Sequence, residues 1–596
     1  MSTNATGTTS QPAKAGHGSS APQTPAQIQA KAFKQLGEHD FPIYSWYILA
    51  CVIGLATLHN VFYTLWAWRR RRLYQSSSLS SPSSNAFPLR AARALSAAYT
   101  RTMYWRRIPM VSMAMLEVLL MVLYIVMLFT MEFTYTQNLT VKLWANRTGH
   151  LIGIQFPLIV ALGAKHNIIG YLTGLSHEKL NLMHRVTARV ILVLTWVHLF
   201  GTLRDRGLKR WLHAPWVTCG MVAGVAMTLL VLTSLGPIRR RFYEFFYVCH
   251  MILVIITLVC TVIHCKEPGY GIYIWPCFAL WGFDRLCRYI RFVSFNSFFV
   301  SRKCTGTVEV VTTDTLRLTM RRRVPFGWKA GQHMFLSFPT VHPLQSHPFT
   351  ISTVYEGSRL GLGGIQELIF ITRARNGLTR SLYDKVLDTG SMDLPILVDG
   401  PYGAPPDITP FSTCIFVAGG SGITYNLPRF EDVVRRASTG DACARRITFV
   451  WAIRDKGHLK SIAGRFSTIM AQAPTTLVVS IQIYVTSPPP SLEELEKNIA
   501  DSDSKRFSQD SNDKKSDVLS FEESNDSIVF YEGRPDVMKI LESEVKASEG
   551  PVSVDASGPV PLLSDIRTAL CAPFTGPVHV LRGAQTVQLN VAEYSL

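Results

Sequence analysis

Four histidines set the chemistry that this chain could perform. His184 and His198 lie 14 residues apart in HRVTARVILVLTWVHLFG, and His250 and His264 lie 14 apart in FYEFFYVCHMILVIITLVCTVIHCK. Both segments are apolar enough to read as membrane helices. Fourteen residues is close to four helical turns, so both imidazoles of a segment leave one face, roughly 21 Å apart along the axis. If the two helices face each other, the rings form two His–His pairs at two depths. An imidazole pair with no carboxylate or thiolate beside it suits a six-coordinate haem iron. Two such sites would make an electron path across a bilayer. A single membrane histidine is ordinarily packed or lines a polar cavity, and one 14-spaced pair among 16 histidines would be unremarkable. Two pairs with one offset are the informative feature. His59, alone in its apolar run, reads as packing.

Further along, short stretches carry residues suited to redox nucleotides. His347, Pro348, Phe349, Thr350, Ile351 and Ser352 close a strand with an aromatic ring, hydroxyls and backbone amides at one edge. A flavin ring and its phosphates can be held by such a set. In ARNGLTR, Gly377 and Thr379 precede a helix start whose backbone N–H groups could meet a pyrophosphate, helped by Arg373 or Arg375. Gly419, Gly420, Ser421, Gly422, Ile423 and Thr424 follow the buried strand CIFVA and open a helix. Small residues in a strand–turn–helix let the backbone approach a phosphate. No G-K-[ST] is present, which speaks against a P-loop ATPase. Arg454, just past the next strand, could meet a 2′-phosphate and favour NADPH over NADH. Gly533-Arg534-Pro535 and Ser557-Gly558-Pro559 each follow a strand, where a parallel sheet presents its ligand crevice. Arg534 is the alternative phosphate partner.

The elements that must hold these residues divide the chain. At 596 residues it exceeds one domain. Hydrophobic residues reach 47% and charged ones only 17%, a membrane-protein balance. The 11 cysteines include no C-x-x-C pair, so a zinc ribbon, a Cys-bound iron–sulfur cluster and a disulfide framework are unsupported. The net charge of +19 gathers at the ends of apolar helices, at 69–72, 239–241 and 285–291. It therefore reads as membrane orientation and not as nucleic-acid binding. Hydropathy predicts seven spans: 44–68, 109–133, 150–164, the two histidine-bearing helices as fourth and sixth, 216–235 between them, and 270–289. The predicted domains are a disordered outer tail (1–40), an all-α haem-binding bundle (41–295), an antiparallel β-barrel (296–405) and an α/β Rossmann-like domain (406–596). A polar, aromatic-poor insertion, 488–526, is expected to loop out of the α/β sheet and to be removable. The orientation places His184 and His250 near the cytosol and His198 and His264 near the outer face. Asn4, Asn138 and Asn146 stand in glycosylation sequons on the predicted outer side. Arg147, Arg204, Asp205, Arg206 and His213 are the polar groups at the predicted outer mouth.

Taken in order, the 14-spaced histidine pairs, HPFTIS, GGSGIT, GRPD and SGP resemble the ferric reductase and NADPH oxidase family of transmembrane flavocytochromes b. The resemblance covers about residues 108–596, and the first span and its loop resemble the fungal metalloreductase branch. It implies electron flow from cytosolic NADPH through FAD and two b haems, inner then outer, to an acceptor outside. That acceptor would be Fe(III) or Cu(II), serving metal uptake at the plasma membrane, with a vacuolar membrane as the alternative and a high-affinity iron uptake system as a partner. HPFTIS would hold FAD, and GGSGIT and the SGP turn would hold NADPH. A superoxide-forming oxidase is the rival within the same fold; the extra first span and the equal offsets favour the reductase. A non-catalytic haem membrane protein is the rival from another class, and the intact HPFTIS and GGSGIT argue against it. Family members often carry Cys-Gly-Pro where this chain has Ser557-Gly558-Pro559. Many also end in an aromatic that covers the flavin, a place Tyr594 could take although two residues follow it.

Overall fold

The computed structural model describes residues 24–76, 87–108, 113–137, 139–206, 213–266, 269–296, 304–324, 327–357, 364–486 and 528–592. The expectation of a structureless tail through residue 40 fails from Thr24 onward. Thr24 and Gln27 form a reciprocal capping box, each side chain accepting from the other's backbone N–H, and Pro25 takes the first helical position. Helix α1 (Pro25–Gln35) runs through a wide turn (Leu36–Asp40) into the long α2 (Phe41–Gln75). After α3 (Phe87–Thr100) come α4 (Met115–Phe133), α5 (Val141–Gly163), α6 (His177–Arg206), α7 (Pro215–Thr233), α8 (Tyr243–Lys266) and α9 (Trp275–Asn296).

Among the described residues, five helices are long and apolar enough to cross a membrane: α1–α2 taken together, α4, α6, α7 and α8. The third and seventh predicted spans are helical as α5 and α9 but fall outside that set. Lys142 and Arg147 interrupt α5, and Asp284, Arg285, Arg288 and Arg291 interrupt α9. Helix α5 is nonetheless the most enclosed, buried continuously from His150 to Ile159. His59, expected to pack, is exposed on α2.

The barrel region consists of two antiparallel sheets around one core. Strands β1 (Thr305–Thr312), β2 (Thr315–Arg323), β3 (His333–Phe338), β4 (His342–Thr350), β5 (Ile365–Arg373), β6 (Ser391–Pro395) and β7 (Leu397–Tyr402) order as β5-β2-β1-β6 and β4-β3-β7. Alternation in β3 buries Met334, Leu336 and Phe338 and leaves His333 and Phe335 on the opposite face. Helix α10 (Leu378–Val386) follows β5.

Beyond it lies a six-stranded parallel sheet of β8 (Thr413–Gly419), β9 (Arg446–Ile453), β10 (Val478–Val485), β11 (Ile528–Glu532), β12 (Val552–Ser557) and β13 (Val587–Ala592). Its spatial order is β11-β10-β9-β8-β12-β13. The order reverses between β8 and β12, the switch point at which such sheets take ligands. Helices α11 (Ile423–Ser438) and α12 (Ala463–Ala471) pack against it. Strands β10 and β11 pair in parallel, from Ile481–Ile528 to Val485–Glu532. Parallel neighbours need a crossover of about a dozen residues or more. Removing all of 488–526 would leave three connecting residues, so the insertion is not wholly dispensable. Residues 487–527 themselves lie outside the described ones.

The last turns of α2 and the segment after it clasp the parallel-sheet domain. Arg70 Nε donates to Pro410 O at 2.5 Å, and Arg93 donates to the Gln585 carboxamide at 2.9 Å. Trp105 is buried among Val537, Leu541, Leu563 and Phe574 of that domain.

Candidate electron-transfer site

Helices α5 and α6 run antiparallel, as do α7 and α8, and the four histidines meet where the pairs face. The His184 and His250 rings lie 6.3 Å apart between centroids, and those of His198 and His264 lie 6.2 Å apart. Nδ1 of His184 is 2.9 Å from Ile159 O, that of His198 is 2.7 Å from Ala145 O, and that of His264 is 2.9 Å from Trp216 O. A carbonyl only accepts, so each of these three rings carries its proton on Nδ1 and presents a bare Nε2 for ligation. Two metal–nitrogen bonds of about 2 Å, with about 1 Å from each nitrogen to its ring centre, sum to about 6 Å. The rings therefore fit a six-coordinate haem iron at both levels. No cluster of three or more His, Cys, Asp or Glu able to hold a bare metal ion occurs among the described residues.

Glycines make the approach possible. A Cβ at Gly149 would stand 2.9 Å from the His198 ring, one at Gly163 3.1 Å from His184, and one at Gly220 2.5 Å from His264. Two residues past Gly163, the Lys165 ammonium sits 3.5 Å over the Phe335 ring and 5.1 Å from that of Tyr402. The His184–His250 pair is thus the one beside the barrel. Burial, and secondarily Arg288, pushes the Lys165 amine down to about 8. Arg288 pairs with Asp399 at 2.7 Å and Arg291 donates to Pro401 O at 2.6 Å, tying α9 to β7.

The first four residues of HPFTIS end β4, and Ile351 and Ser352 follow it. Phe349 points into the barrel core, and Pro348 pairs with Phe335 on the face toward the membrane helices. Ser352 N donates to Ile369 O at 2.8 Å, while its Oγ is buried without a hydrogen-bond partner among the described residues. An orphaned buried hydroxyl at this edge fits a ligand with polar ring atoms such as a flavin. Gly377 (φ +70°) starts α10 with no side-chain cap, and Thr379 Oγ1 accepts from Arg375 N at 3.1 Å. Arg373 departs from the reading that freed it for a phosphate. It is engaged by Asp314, its Nε 2.8 Å from Oδ2; burial pushes the Asp314 carboxyl up, but Arg373, the Thr315 hydroxyl and His458 together hold it below its usual range.

GGSGIT and SGP meet at the switch point. Gly420 has φ +55°, and any Cβ at Gly422 would collide with the Ser557 carbonyl. The turn is pinned by Trp451 Nε1, which donates to Gly420 O at 3.1 Å. Ser557 is buried and its Oγ donates to Ala592 O at 3.3 Å, whereas Pro559 is exposed. Ile423 and Thr424 are buried at the start of α11. Arg454 is exposed at the end of β9, next to β8; Gly533 and Arg534 are exposed at the end of the edge strand β11. Sequence reasoning missed Arg465. Its guanidinium bonds both the Ser352 carbonyl and the Glu431 carboxylate, joining HPFTIS to the helix that GGSGIT opens.

At the outer end two expectations are corrected. Arg147 is buried and directed at backbone carbonyls, among them Thr134 O at 2.6 Å and Tyr135 O at 3.2 Å, so it does not line an open mouth. Asn146 lies within α5, its amide 3.4 Å from the Glu38 carboxylate, and Thr148 of its sequon is fully buried. A bulky surface modification does not suit that position. Asn4, Asn138 and Tyr594 lie outside the described residues.

Three family models match this chain in the order of its domains. Residues 148–261 match the ferric reductase like transmembrane component, 301–406 an FAD-binding domain, and 411–571 the ferric reductase NAD binding domain. The chain belongs to the ferric reductase family. Among curated ferric reductases, the "Ferric/cupric reductase transmembrane component 1" of Candida albicans is 29% identical over 445 residues, 72% of this chain and 54% of that one. The "Ferric reductase transmembrane component 5" of Saccharomyces cerevisiae is 29% identical over 322 residues, 52% of this chain and 44% of that one. The "Probable cell surface ferric reductase kap2" of Aspergillus oryzae is 28% identical over 330 residues, 52% of this chain and 43% of that one. The chain thus spans about half the length of these relatives. As a ferric reductase family member it joins a transmembrane component to an FAD-binding and a nicotinamide-nucleotide-binding domain. It is a multi-pass membrane protein.

Proposed function

We propose that this chain is a transmembrane, NADPH-dependent metalloreductase. It takes electrons from cytosolic NADPH and delivers them singly to Fe(III) or Cu(II) outside, with FAD and two b-type haems as resident carriers and seven helices in the membrane. The observation that carries this reading is the pair of His–His ring contacts, each at the span of a bis-imidazole iron, lined up from the barrel side toward the opposite face. A bound flavin converts a two-electron donor into single electrons, and each haem iron holds one.

The chain's own residues position these groups. His184 and His250 would hold the inner iron, and His198 and His264 the outer one. Pro348, Thr350 and Ser352 would hold the flavin at the face nearest the inner pair. The GGSGIT turn, Gly558 and Pro559 would receive the nucleotide, with Arg454 or Arg534 on its 2′-phosphate. Extracellular ferric or cupric chelates are the substrates, and the "cell surface" in the name of the A. oryzae relative favours the plasma membrane. An iron uptake system would consume the Fe(II) produced.

Vesicles carrying the purified chain, with Fe(III)-citrate trapped inside and NADPH added outside, test the reading. Reduction of the trapped iron on NADPH addition, dependent on His198, is expected. NADPH oxidation with the trapped iron left ferric would refute it.

A further inference from the structure

Three of the four candidate axial histidines are held by one repeated device. On α5, the carbonyls of Ala145 and Ile159 receive His198 and His184, and the residue four positions on is a glycine in each case, Gly149 or Gly163. On α7, Trp216 and Gly220 serve His264 in the same way. Gly149 and Gly163 are 14 residues apart, as are the histidines they face. Because α7 and α8 run antiparallel, the same step along α7, from Trp216 to Leu230 and from Gly220 to Ser234, matches the 14-residue step from His264 back to His250.

There the device is broken. Ser234 brings a Cβ into the place of the glycine, and its hydroxyl donates to Val231 O at 2.9 Å. The Leu230 carbonyl accepts Ser234 N–H at 3.2 Å, and the Thr233 hydroxyl crowds it at 3.3 Å while bonding Leu229 O at 2.7 Å. Nδ1 of His250 is buried with no hydrogen-bond partner among the described residues.

A ligating imidazole whose other N–H is held by a carbonyl is a more basic donor and favours ferric iron; without that bond it is a weaker one. We infer that Thr233 and Ser234 are positioning residues that withhold the helix carbonyl from His250 and thereby raise the reduction potential of the inner haem. The inner site becomes the readier acceptor on the flavin side. Only one electron arrives at ferric iron and leaves again, and no other bond changes. The inference rests on the haem reading above.

Equilibrium redox titration of the purified full chain, followed by haem absorbance, tests it with Thr233→Val, Ser234→Gly and the double variant. A His198→Ala background that keeps only the inner haem assigns the midpoints. In the double variant the inner midpoint should fall by about a tenfold shift of the Fe(III)/Fe(II) equilibrium, about 59 mV for one electron, with the outer midpoint unmoved. If the double variant loses its inner haem, Thr233→Val alone decides, and a smaller fall is expected there. An unmoved inner midpoint with both haems retained would overturn the inference. Wild-type protein purified without haem would defeat the haem reading itself, a separate outcome.

Discussion

His198→Ala removes one candidate axial imidazole without touching the barrel or the parallel sheet. The haem-to-flavin ratio, read by pyridine haemochrome, should fall by about half while FAD and NADPH binding persist. An unchanged ratio would take His198 out of the ligand set. The nucleotide site offers a second residue-scale test. Arg454 is exposed at the end of β9, one strand from GGSGIT, with no carboxylate partner among the described residues. A guanidinium bonded to a 2′-phosphate contributes about 1.5–3 kcal/mol, so Arg454→Ala should lower kcat/KM for NADPH about tenfold or more. The NADH value should barely move; stopped-flow flavin reduction with each nucleotide measures both, and an equal loss would make Arg454 structural. The histidines, HPFTIS and GGSGIT were legible because their spacing or local order carries the chemistry. Lys165 and Arg465 were not. Each is a lone cation in its own segment, and its role arises from a ring or carbonyl brought close only by folding. The partner of Arg373 was hidden for the same reason: Asp314, 59 residues away, engages it.

At the scale of elements, helix and sheet types followed from apolar runs and from the strand–turn–helix texture. The exceptions have local causes. Residues 25–40 read as a tail because their composition is polar, yet the Thr24–Gln27 box and continuity with α2 hold them helical. Composition marks the insertion but does not reveal whether the flanking strands are parallel. Their observed register yields a prediction. Deleting all of 488–526 should detach β11 and with it Gly533 and Arg534, whereas a deletion leaving about a dozen residues should preserve the sheet. NADPH-driven flavin reduction would be lost in the first and retained in the second; equal activity of both would contradict the register.

At the scale of the whole molecule, the segment before residue 148, which the family models do not cover, acts as a clasp on the nucleotide domain. Trp105→Ala should destabilise that domain by about 3–5 kcal/mol, the cost of truncating a buried Trp, seen as earlier thermal release of flavin. No change in the release temperature would free Trp105 from that role. Nothing in the sequence pointed to this clasp, because Arg70, Arg93 and Trp105 find their partners more than 300 residues away. The central claim concerns the acceptor, and it is tested most directly by NADPH consumption by the purified chain with Fe(III)-citrate, Cu(II) or O2 as the only acceptor. A rate that depends on the metal, with Fe(II) or Cu(I) formed in step and little superoxide, is the expected result. Superoxide formed at the full rate without metal would contradict the account.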